Sequence, residues 1–134
     1  MHAHAVSIET ANLSSDAAAL RDLLNAAYGN GGGECMEVEP WLASILSDAE
    51  FDPELCLAAT SSTNGRLVGF LHAWTTGFIK DLAVDAAFQR HGVGRALMTV
   101  LADRASRRGI RALSLKVVST NDGARRFYRS LGLR

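Results

Sequence analysis

The sequence is poor in cysteine, in aromatic residues and in excess charge, and each shortage argues against a class of protein. Its 134 residues include two cysteines, Cys35 and Cys56, which can form one disulfide but do not indicate a disulfide-stapled secreted scaffold. The formal net charge is zero and aromatic residues make up 7% of the chain. Nucleic-acid binding relies on basic surfaces and clustered aromatics, so we expect no nucleic-acid partner.

Long apolar runs are also missing. No run approaches the ~20 apolar residues of a membrane span, so we expect no membrane partner. Residues 1–12 lack the basic region and the continuous apolar stretch of a signal peptide. His2 and His4 have no further candidate ligands nearby, and we expect no metal site. These absences predict a cytoplasmic protein.

The bulk composition predicts one globular domain over residues 1–134. Hydrophobic residues make up 48% of the chain and charged residues 21%, and this length can enclose a core of its own. The sequence shows no internal repeat and no linker between domains.

Apolar periodicity and turn residues predict the order β-α-α-β-β-β-α-β-α. Gly29 stands where a glycine ends the first helix, and Pro40 suits the first position of the second. Asn64-Gly65 indicates a hairpin in the middle of the chain, so the strands there should pair antiparallel. A helix beginning at Gly92 then crosses over to a strand at residues 111–118, which should pair parallel to the strand at 78–84. We therefore predict a mixed α/β sheet with helices on both faces.

Residues 78–108 form the most informative stretch. A short apolar strand runs into a polar turn, and Gly92-Val93-Gly94 opens the helix that follows. Backbone N–H groups at a helix N-terminus, together with the helix dipole, favour a phosphate ligand. Glycines let the backbone approach that ligand closely, and Arg90 and Arg95 add positive charge. The stretch predicts an anion site.

Two familiar phosphate-binding motifs fit this turn poorly. A Walker loop needs Gly-Lys followed by Ser or Thr, whereas the chain has Gly94-Arg95-Ala96. A dinucleotide fingerprint needs a third glycine where Leu97 stands. The run from Gln89 to Leu97 instead resembles the acyl-CoA pyrophosphate loop of the GCN5-related N-acetyltransferase (GNAT) superfamily, whose pattern is Gln/Arg-x-x-Gly-x-Gly/Ala.

Further marks of that family follow in order over residues 66–134, and residues 1–65 match it only in their order of elements. The resemblance implies a GNAT-like fold, acetyl-CoA as co-substrate and an amine as acetyl acceptor. The pantetheine arm would lie along one strand, and the pyrophosphate would lie on the loop. The residues that the resemblance assigns to acetyl-CoA are Leu82, Ala83, Val84, Gln89, Arg90, His91, Gly92, Val93, Gly94, Arg95, Ala96, Asn121 and Tyr128.

The resemblance also implies catalytic groups. The backbone N–H of Leu82 would face the developing oxyanion. Tyr128 would protonate the leaving thiolate; the alternative is a tyrosine that packs the last helix on the sheet. Asn121 would reach the pantetheine, act as a plain N-cap, or do both. Asp81 is the carboxylate nearest the thioester in sequence and is a candidate base, with a structural carboxylate as the alternative.

Acceptor binding is the least constrained part of the prediction. Glu34 and Glu37, with Glu39, lie where acceptor residues of the family tend to come from, although a solvated acidic loop is the commoner explanation for such residues. His72 and Trp74 alternate with their apolar neighbours and so share one face of a strand. They are candidates for lining the pocket, and His72 is alternatively a hydrogen-bonded sheet histidine.

One departure from the family pattern concerns the end of the sequence. GNAT chains usually carry another strand or two after the last helix, and this sequence stops at Arg134. The strand at residues 113–118 would then keep a bare edge, which a homodimer could cover. The departure also leaves a second hypothesis open: a catalytically inactive acyl-CoA-binding or assembly module of the same fold.

Overall fold

The computed structural model describes residues 6–31, 37–88 and 92–115. Short 3-10 turns span Pro53–Leu55 and Ala86–Phe88. Within the described ranges, no helix is long and apolar enough to cross a membrane. The elements are β1 (Val6–Thr10), α1 (Ala17–Gly31), α2 (Val38–Leu46), β2 (Cys56–Ser61), β3 (Leu67–Ala73), β4 (Phe78–Val84), α3 (Val93–Arg107) and β5 (Ser114–Leu115).

The strands form one mixed sheet in the order β1-β2-β3-β4-β5. Neighbours from β1 to β4 pair antiparallel, and β5 pairs parallel to β4 with Phe78 opposite Ser114. The predicted fold class is therefore confirmed, including the parallel pair on either side of the α3 crossover. The predicted last helix and residues 116–118 of the last strand lie outside the described residues. The homodimer across that edge stays a prediction.

The sheet has a hydrophobic core on each face. On one face, α1 and α2 bury Leu20, Leu24 and Trp41 against Phe70. On the other face, α3 buries its apolar stripe against Leu57 and Leu71 of the central strands. Because β3 is covered on both sides, six of its seven residues are buried and its sequence is nearly all apolar. His72 is the exception, and it lies on the α2 face.

Gly69 sets how closely α3 approaches the sheet. A Cβ atom at this position would lie 3.0 Å from Val93 Cγ1 and 3.1 Å from Leu97 Cδ1. The glycine therefore leaves room for the first turn of α3 to pack on β3, beside the end of β4. This contact fixes the helix N-terminus relative to the strand that precedes it.

The other end of α3 is fixed by capping and by ion pairs. Gly109 adopts φ of 77° and the N–H of Ile110 donates to the carbonyl of Ala105, which completes a Schellman motif. Arg104 Nη1 lies 3.0 Å from Glu54 Oε2, and Arg108 Nε lies 2.6 Å from Asp52 Oδ2. Both partners belong to the turn before β2, so α3 is tied to the sheet at both ends.

Two predicted helix boundaries are wrong. Helix α1 continues through Gly31, so Gly29 lies inside it rather than after it. A glycine inside a helix costs only about 1 kcal/mol relative to alanine, which does not end a helix of 15 residues. Helix α2 begins at Val38, which makes Pro40 its third residue. Proline is tolerated there because the first-turn N–H groups have no intrahelical acceptor.

Candidate active site

A cleft of about 430 Å³ opens between α2 and the strands β3 and β4. It brings together four of the residues singled out in the sequence. Glu37 comes from the N-cap of α2, His72 and Trp74 come from β3 and the residue after it, and Asp81 comes from β4. The full lining is Glu37, Pro40, Trp41, Ser44, Ile45, Asp48, His72, Trp74, Lys80 and Asp81.

An irregularity in β4 aims two consecutive residues into this cleft. His72 pairs with Asp81 but the next residue, Ala73, pairs with Ile79, so Lys80 is an extra residue opposite β3. Such a bulge lets neighbouring side chains point to the same side of a sheet. Lys80 and Asp81 accordingly both line the cleft, whereas Ile79 and Leu82 pack on the α3 face.

His72 and Asp81 form the buried polar pair at the base of the cleft. His72 Nδ1 lies 3.6 Å from Asp81 Oδ2, and the two residues are 1% and 8% exposed. Burial lowers the pKa of His72 to about 4, with a smaller opposing effect from the negative charge of Asp48. Burial raises the pKa of Asp81 to about 6. Near neutral pH the pair therefore consists of a neutral imidazole and a carboxylate.

Aromatic rings surround the imidazole. The ring of Phe70 stacks on His72 with centroids 6.5 Å apart, and Phe51 meets it edge-on at 6.3 Å. Trp41 packs against the far side of Phe70. Trp74, at the side of the cleft, contacts Phe78 at 5.2 Å. Among the described residues, the buried Nε1 of Trp74 and both ring nitrogens of His72 have no hydrogen-bond partner.

The backbone of β4 presents a donor on the side away from β3. The N–H of Asp85 donates to the carbonyl of Val68 across the β3–β4 pair. Hydrogen-bonded pairs alternate along an antiparallel ladder, so Leu82, opposite Leu71, falls at a non-bonded pair. The N–H of Leu82 therefore points away from β3, and so does that of Val84 by the same alternation. Ala83, between them, faces the α1 side and bonds to β3.

The N-terminus of α3 has the features of an anion site. Gly92 is the N-cap residue with φ of 83°, and no side chain caps the helix. The first four N–H groups of a helix have no intrahelical acceptor and carry the positive end of its dipole. A Cβ atom on Gly92 would meet nothing within 4 Å, so the space beside it is open. Val93 is buried, and Gly94, Arg95 and Ala96 complete the first turn. These residues fit a phosphate group.

The remaining predicted site residues lie outside the described part of the chain, and the structure does not place them. They are Glu34, Gln89, Arg90, His91, Asn121 and Tyr128.

Sequence reasoning missed several lining residues, of which Lys80 and Asp48 carry charge. The signal for Lys80 was present in the apolar phase of β4. Ile79, Leu82 and Val84 all pack on one face, although strict alternation along a strand would put Ile79 on the face opposite to the other two. A single extra residue accounts for that shift. Asp48 follows the end of α2 and gave no signal, because only the tertiary fold brings it near His72.

The described residues bear on the reactivity of Cys56 and on metal binding. Burial raises the pKa of the Cys56 thiol to about 12, so this cysteine is not a nucleophile near neutral pH. Within residues 6–31, 37–88 and 92–115, no three His, Cys, Asp or Glu side chains are grouped to hold a metal ion.

Comparison with known proteins identifies the fold family. Residues 17–133 match the sequence model of the acetyltransferase (GNAT) family. The chain belongs to this family. The family assignment from the glycine-rich turn is therefore confirmed, and the GNAT match extends across α1 and α2, where the sequence resemblance was weakest.

Several GNAT proteins resemble the chain. It is 44% identical over 96 residues to the ribosomal protein bS18-alanine N-acetyltransferase of Escherichia coli (strain K12), which covers 69% of this chain and 64% of that protein. The chain thus spans less than two thirds of that relative. The crystal structure of the E. coli ribosomal-protein-S18-alanine N-acetyltransferase has a TM-score of 0.75 at 26% identity, covering 96% of this chain and 77% of the other.

Two further structures support the fold. A GCN5-related N-acetyltransferase from Sphaerobacter thermophilus has a TM-score of 0.80 at 27% identity, covering 98% of this chain and 43% of the other. Diaminobutyrate acetyltransferase EctA from Paenibacillus lautus, solved with its substrate and coenzyme A, has a TM-score of 0.74 at 21% identity, covering 96% and 75%.

Proposed function

We propose that this GNAT chain is an N-acetyltransferase that transfers the acetyl group of acetyl-CoA to a primary amine by direct attack. The observation that carries the proposal is on β4. This strand places the carboxylate of Asp81 in the cleft and turns the N–H of Leu82, the next residue, away from β3. A proton acceptor and a carbonyl-polarising donor thus stand side by side, as acyl transfer to an amine requires.

The α3 N-terminus and the β4 backbone are the groups that would hold acetyl-CoA. The backbone N–H groups of the first helical turn, which begins after Gly92, suit its pyrophosphate, and the outward N–H of Val84 suits the pantetheine arm. When bound, acetyl-CoA supplies a thioester-activated acetyl group. Support for this co-substrate comes from the family match and from EctA, a protein of the same fold that binds coenzyme A. Ala83, Gln89, Arg90, His91 and Asn121 remain predicted contacts.

Asp81 is suited to accept the proton that the acceptor ammonium loses. Its raised pKa of about 6 makes it a stronger base than an exposed aspartate, while it is still ionised at neutral pH. The N–H of Leu82 stabilises the charge that develops on the carbonyl oxygen as the new C–N bond forms. Tyr128, by its resemblance to the family tyrosine, donates a proton to the sulfur as the C–S bond breaks. Of the two protons that the ammonium gives up, Asp81 takes one and the second returns to Tyr128, so the products are the amide and the protonated thiol.

The cleft is suited to a cationic acceptor. Three carboxylates, those of Glu37, Asp48 and Asp81, line it against one ammonium, that of Lys80. Trp41 and Trp74 add apolar wall for the group that carries the amine. The relatives acetylate a protein amine in one case and diaminobutyrate in the other, so the proposal covers both protein and small-molecule amines. Glu34 stays a predicted contributor to acceptor binding.

Titration calorimetry with acetyl-CoA on matched glycine variants tests the cofactor site. Gly92→Ala adds a methyl group where the phosphate is proposed to lie, at φ of 83°. Gly109→Ala adds the same group at the other end of α3, at φ of 77°, again with nothing within 4 Å. Both variants carry the same kind of backbone strain, so equal folding losses are expected. Only Gly92→Ala should lose affinity for acetyl-CoA, by roughly tenfold or more.

A thiol-release assay with a panel of primary amines tests the chemistry. Amine-dependent release of CoA thiol, lowered about 10²-fold or more in kcat by Asp81→Asn, is the expected result. Acetyl-CoA binding without release on any amine would favour an acyl-CoA-binding module instead. A folded chain that binds no acetyl-CoA would refute the proposal for this sequence.

A further inference from the structure

His72 is the most deeply buried polar side chain of the cleft, and it has no conventional partner. Among the residues that the structure describes, neither of its ring nitrogens makes a hydrogen bond. A buried polar group without a partner is destabilising, and such groups are rare unless they serve a purpose. We propose that His72 is a positioning residue that acts through Asp81, donating from Nδ1 to the carboxylate when an acceptor occupies the cleft. This inference rests on the proposed acetyl transfer at Asp81.

The geometry leaves Asp81 as the partner within reach. The two residues are directly opposite in the β3–β4 ladder, and His72 Nδ1 lies 3.6 Å from Asp81 Oδ2. That distance exceeds a hydrogen bond by a few tenths of an ångström, and bonds at catalytic groups often tighten only when the ligand is bound. Phe70 stacks on the imidazole and Phe51 meets it edge-on, so the ring is held opposite the carboxylate.

The charges around the ring favour a neutral imidazole. Burial is the largest effect and lowers the pKa of His72, and the positive charge of Lys80 lowers it further. Asp48 acts in the opposite direction, and Glu37 lies at the α2 end of the same cleft. A neutral imidazole carries one N–H, and a carboxylate facing Nδ1 selects the tautomer with that proton on Nδ1. His72 is thus a donor to Asp81 near neutral pH.

Donation from His72 has two consequences for Asp81. It fixes the carboxylate at the base of the cleft, where it can take a proton from the acceptor amine. It also favours the ionised carboxylate, against the effect of burial. Because His72 is almost fully enclosed, it acts on the acceptor through Asp81 and not by contact. Its loss should therefore change how activity depends on pH, in addition to lowering the rate.

The kinetic test compares His72→Leu with His72→Asn. The amide nitrogen of asparagine can occupy the place of Nδ1 and keep a donor there, whereas leucine cannot donate. The expected result for His72→Leu is an acidic limb of kcat/KM moved up by about one pH unit. Its KM for acetyl-CoA should stay near the wild-type value. His72→Asn should restore the wild-type limb. Equal profiles in both variants, or an unmoved limb in His72→Leu, would overturn the proposal.

A second measurement needs no catalysis, so it separates failure of this inference from failure of the proposed function. Nitrogen NMR of the His72 ring reports which nitrogen carries the proton. The expected result at pH 7.5 is the Nδ1–H tautomer, with a step in the ring signals near pH 6 that Asp81→Asn abolishes. An Nε2–H tautomer at that pH, or a step that survives Asp81→Asn, would overturn the pairing even if the enzyme turns over normally.

Discussion

Replacing either member of the His72–Asp81 pair should make the free energy of unfolding depend on pH near pH 5. The two replacements should change it in opposite directions. The ordinary pKa values are 6.5 for His72 and 3.8 for Asp81, and burial moves them to about 4 and about 6. At pH 5 the unfolded pair binds one proton, on the imidazole. The folded pair also binds one proton, on the carboxyl. Equal proton counts mean that the pair contributes no pH dependence near pH 5 in the wild type.

Each single variant breaks this balance. In Asp81→Asn, only His72 titrates: the unfolded chain binds its proton below pH 6.5, while the folded chain stays neutral down to about pH 4. The free energy of unfolding should then fall as pH falls through that window, by about 1.4 kcal/mol per pH unit. In His72→Leu, only Asp81 titrates, and the folded chain binds the extra proton between about pH 6 and pH 3.8. Stability should then rise by a similar amount as pH falls.

Urea unfolding at pH 4.5, 5.0 and 5.5 provides the measurement. Each variant is referred to the wild type at the same pH, which removes the contribution of the other carboxylates. Between pH 5.5 and pH 4.5 the difference from wild type should change by about 1.4 kcal/mol downward for Asp81→Asn and upward for His72→Leu. Curves that stay parallel to the wild type would mean that burial does not shift these two groups, and would refute the reasoning.

Three other predictions concern packing, reactivity and ion pairing. Gly69→Ala should lower the free energy of unfolding by about 1–3 kcal/mol, because the new methyl meets the first turn of α3; unchanged urea stability would contradict the close approach. In a Cys35→Ser background, Cys56 should resist thiol reagents in the folded chain and react only in urea. Rapid labelling of the folded chain would be incompatible with the burial of Cys56. Arg104→Met should lower the free energy of unfolding in urea by about 1 kcal/mol more than Arg107→Met does. Arg104 bonds to Glu54, whereas the ion pair that Arg107 makes with Asp103 is exposed. Equal losses of stability would argue against the contact between Arg104 and the turn before β2.

The sheet was largely predictable from the sequence because its strands are short apolar runs between turn residues. The range 78–84 was predicted to the residue, and the hairpin at Asn64-Gly65 joins β2 and β3 as expected. The end of α1 was not predictable from Gly29, because a local preference for glycine after a helix is weaker than packing along the helix. The register of β4 was not predicted, although the extra residue is visible in the sequence as a shift in the apolar alternation.

For the candidate site, too, features set by local sequence were predictable and features set by the tertiary fold were not. Asp81 was found because it follows from one strand and one motif, and His72 and Trp74 were found because they share a face. The structure places them in one cleft with Glu37, and their roles in the site stay predictions. The near approach of Asp48 to His72 was not predictable, because it depends on where α2 ends relative to β3. Burial sets both pKa shifts, and burial is a property of the whole fold.

Lys80 is the extra residue of the β4 bulge, so it stands in the strand as a one-residue insertion. Ile79 faces α3 and Asp81 faces α2, so removing Lys80 would leave the two flanking residues on the sides they already occupy. Every core residue of β4 would keep its partner on β3. The strand can therefore lose the charged residue beside Asp81 while both hydrophobic cores keep their contacts. Deleting Lys80 would change the charge of the cleft, whereas a one-residue deletion elsewhere in a sheet would reverse the inside and outside of a strand.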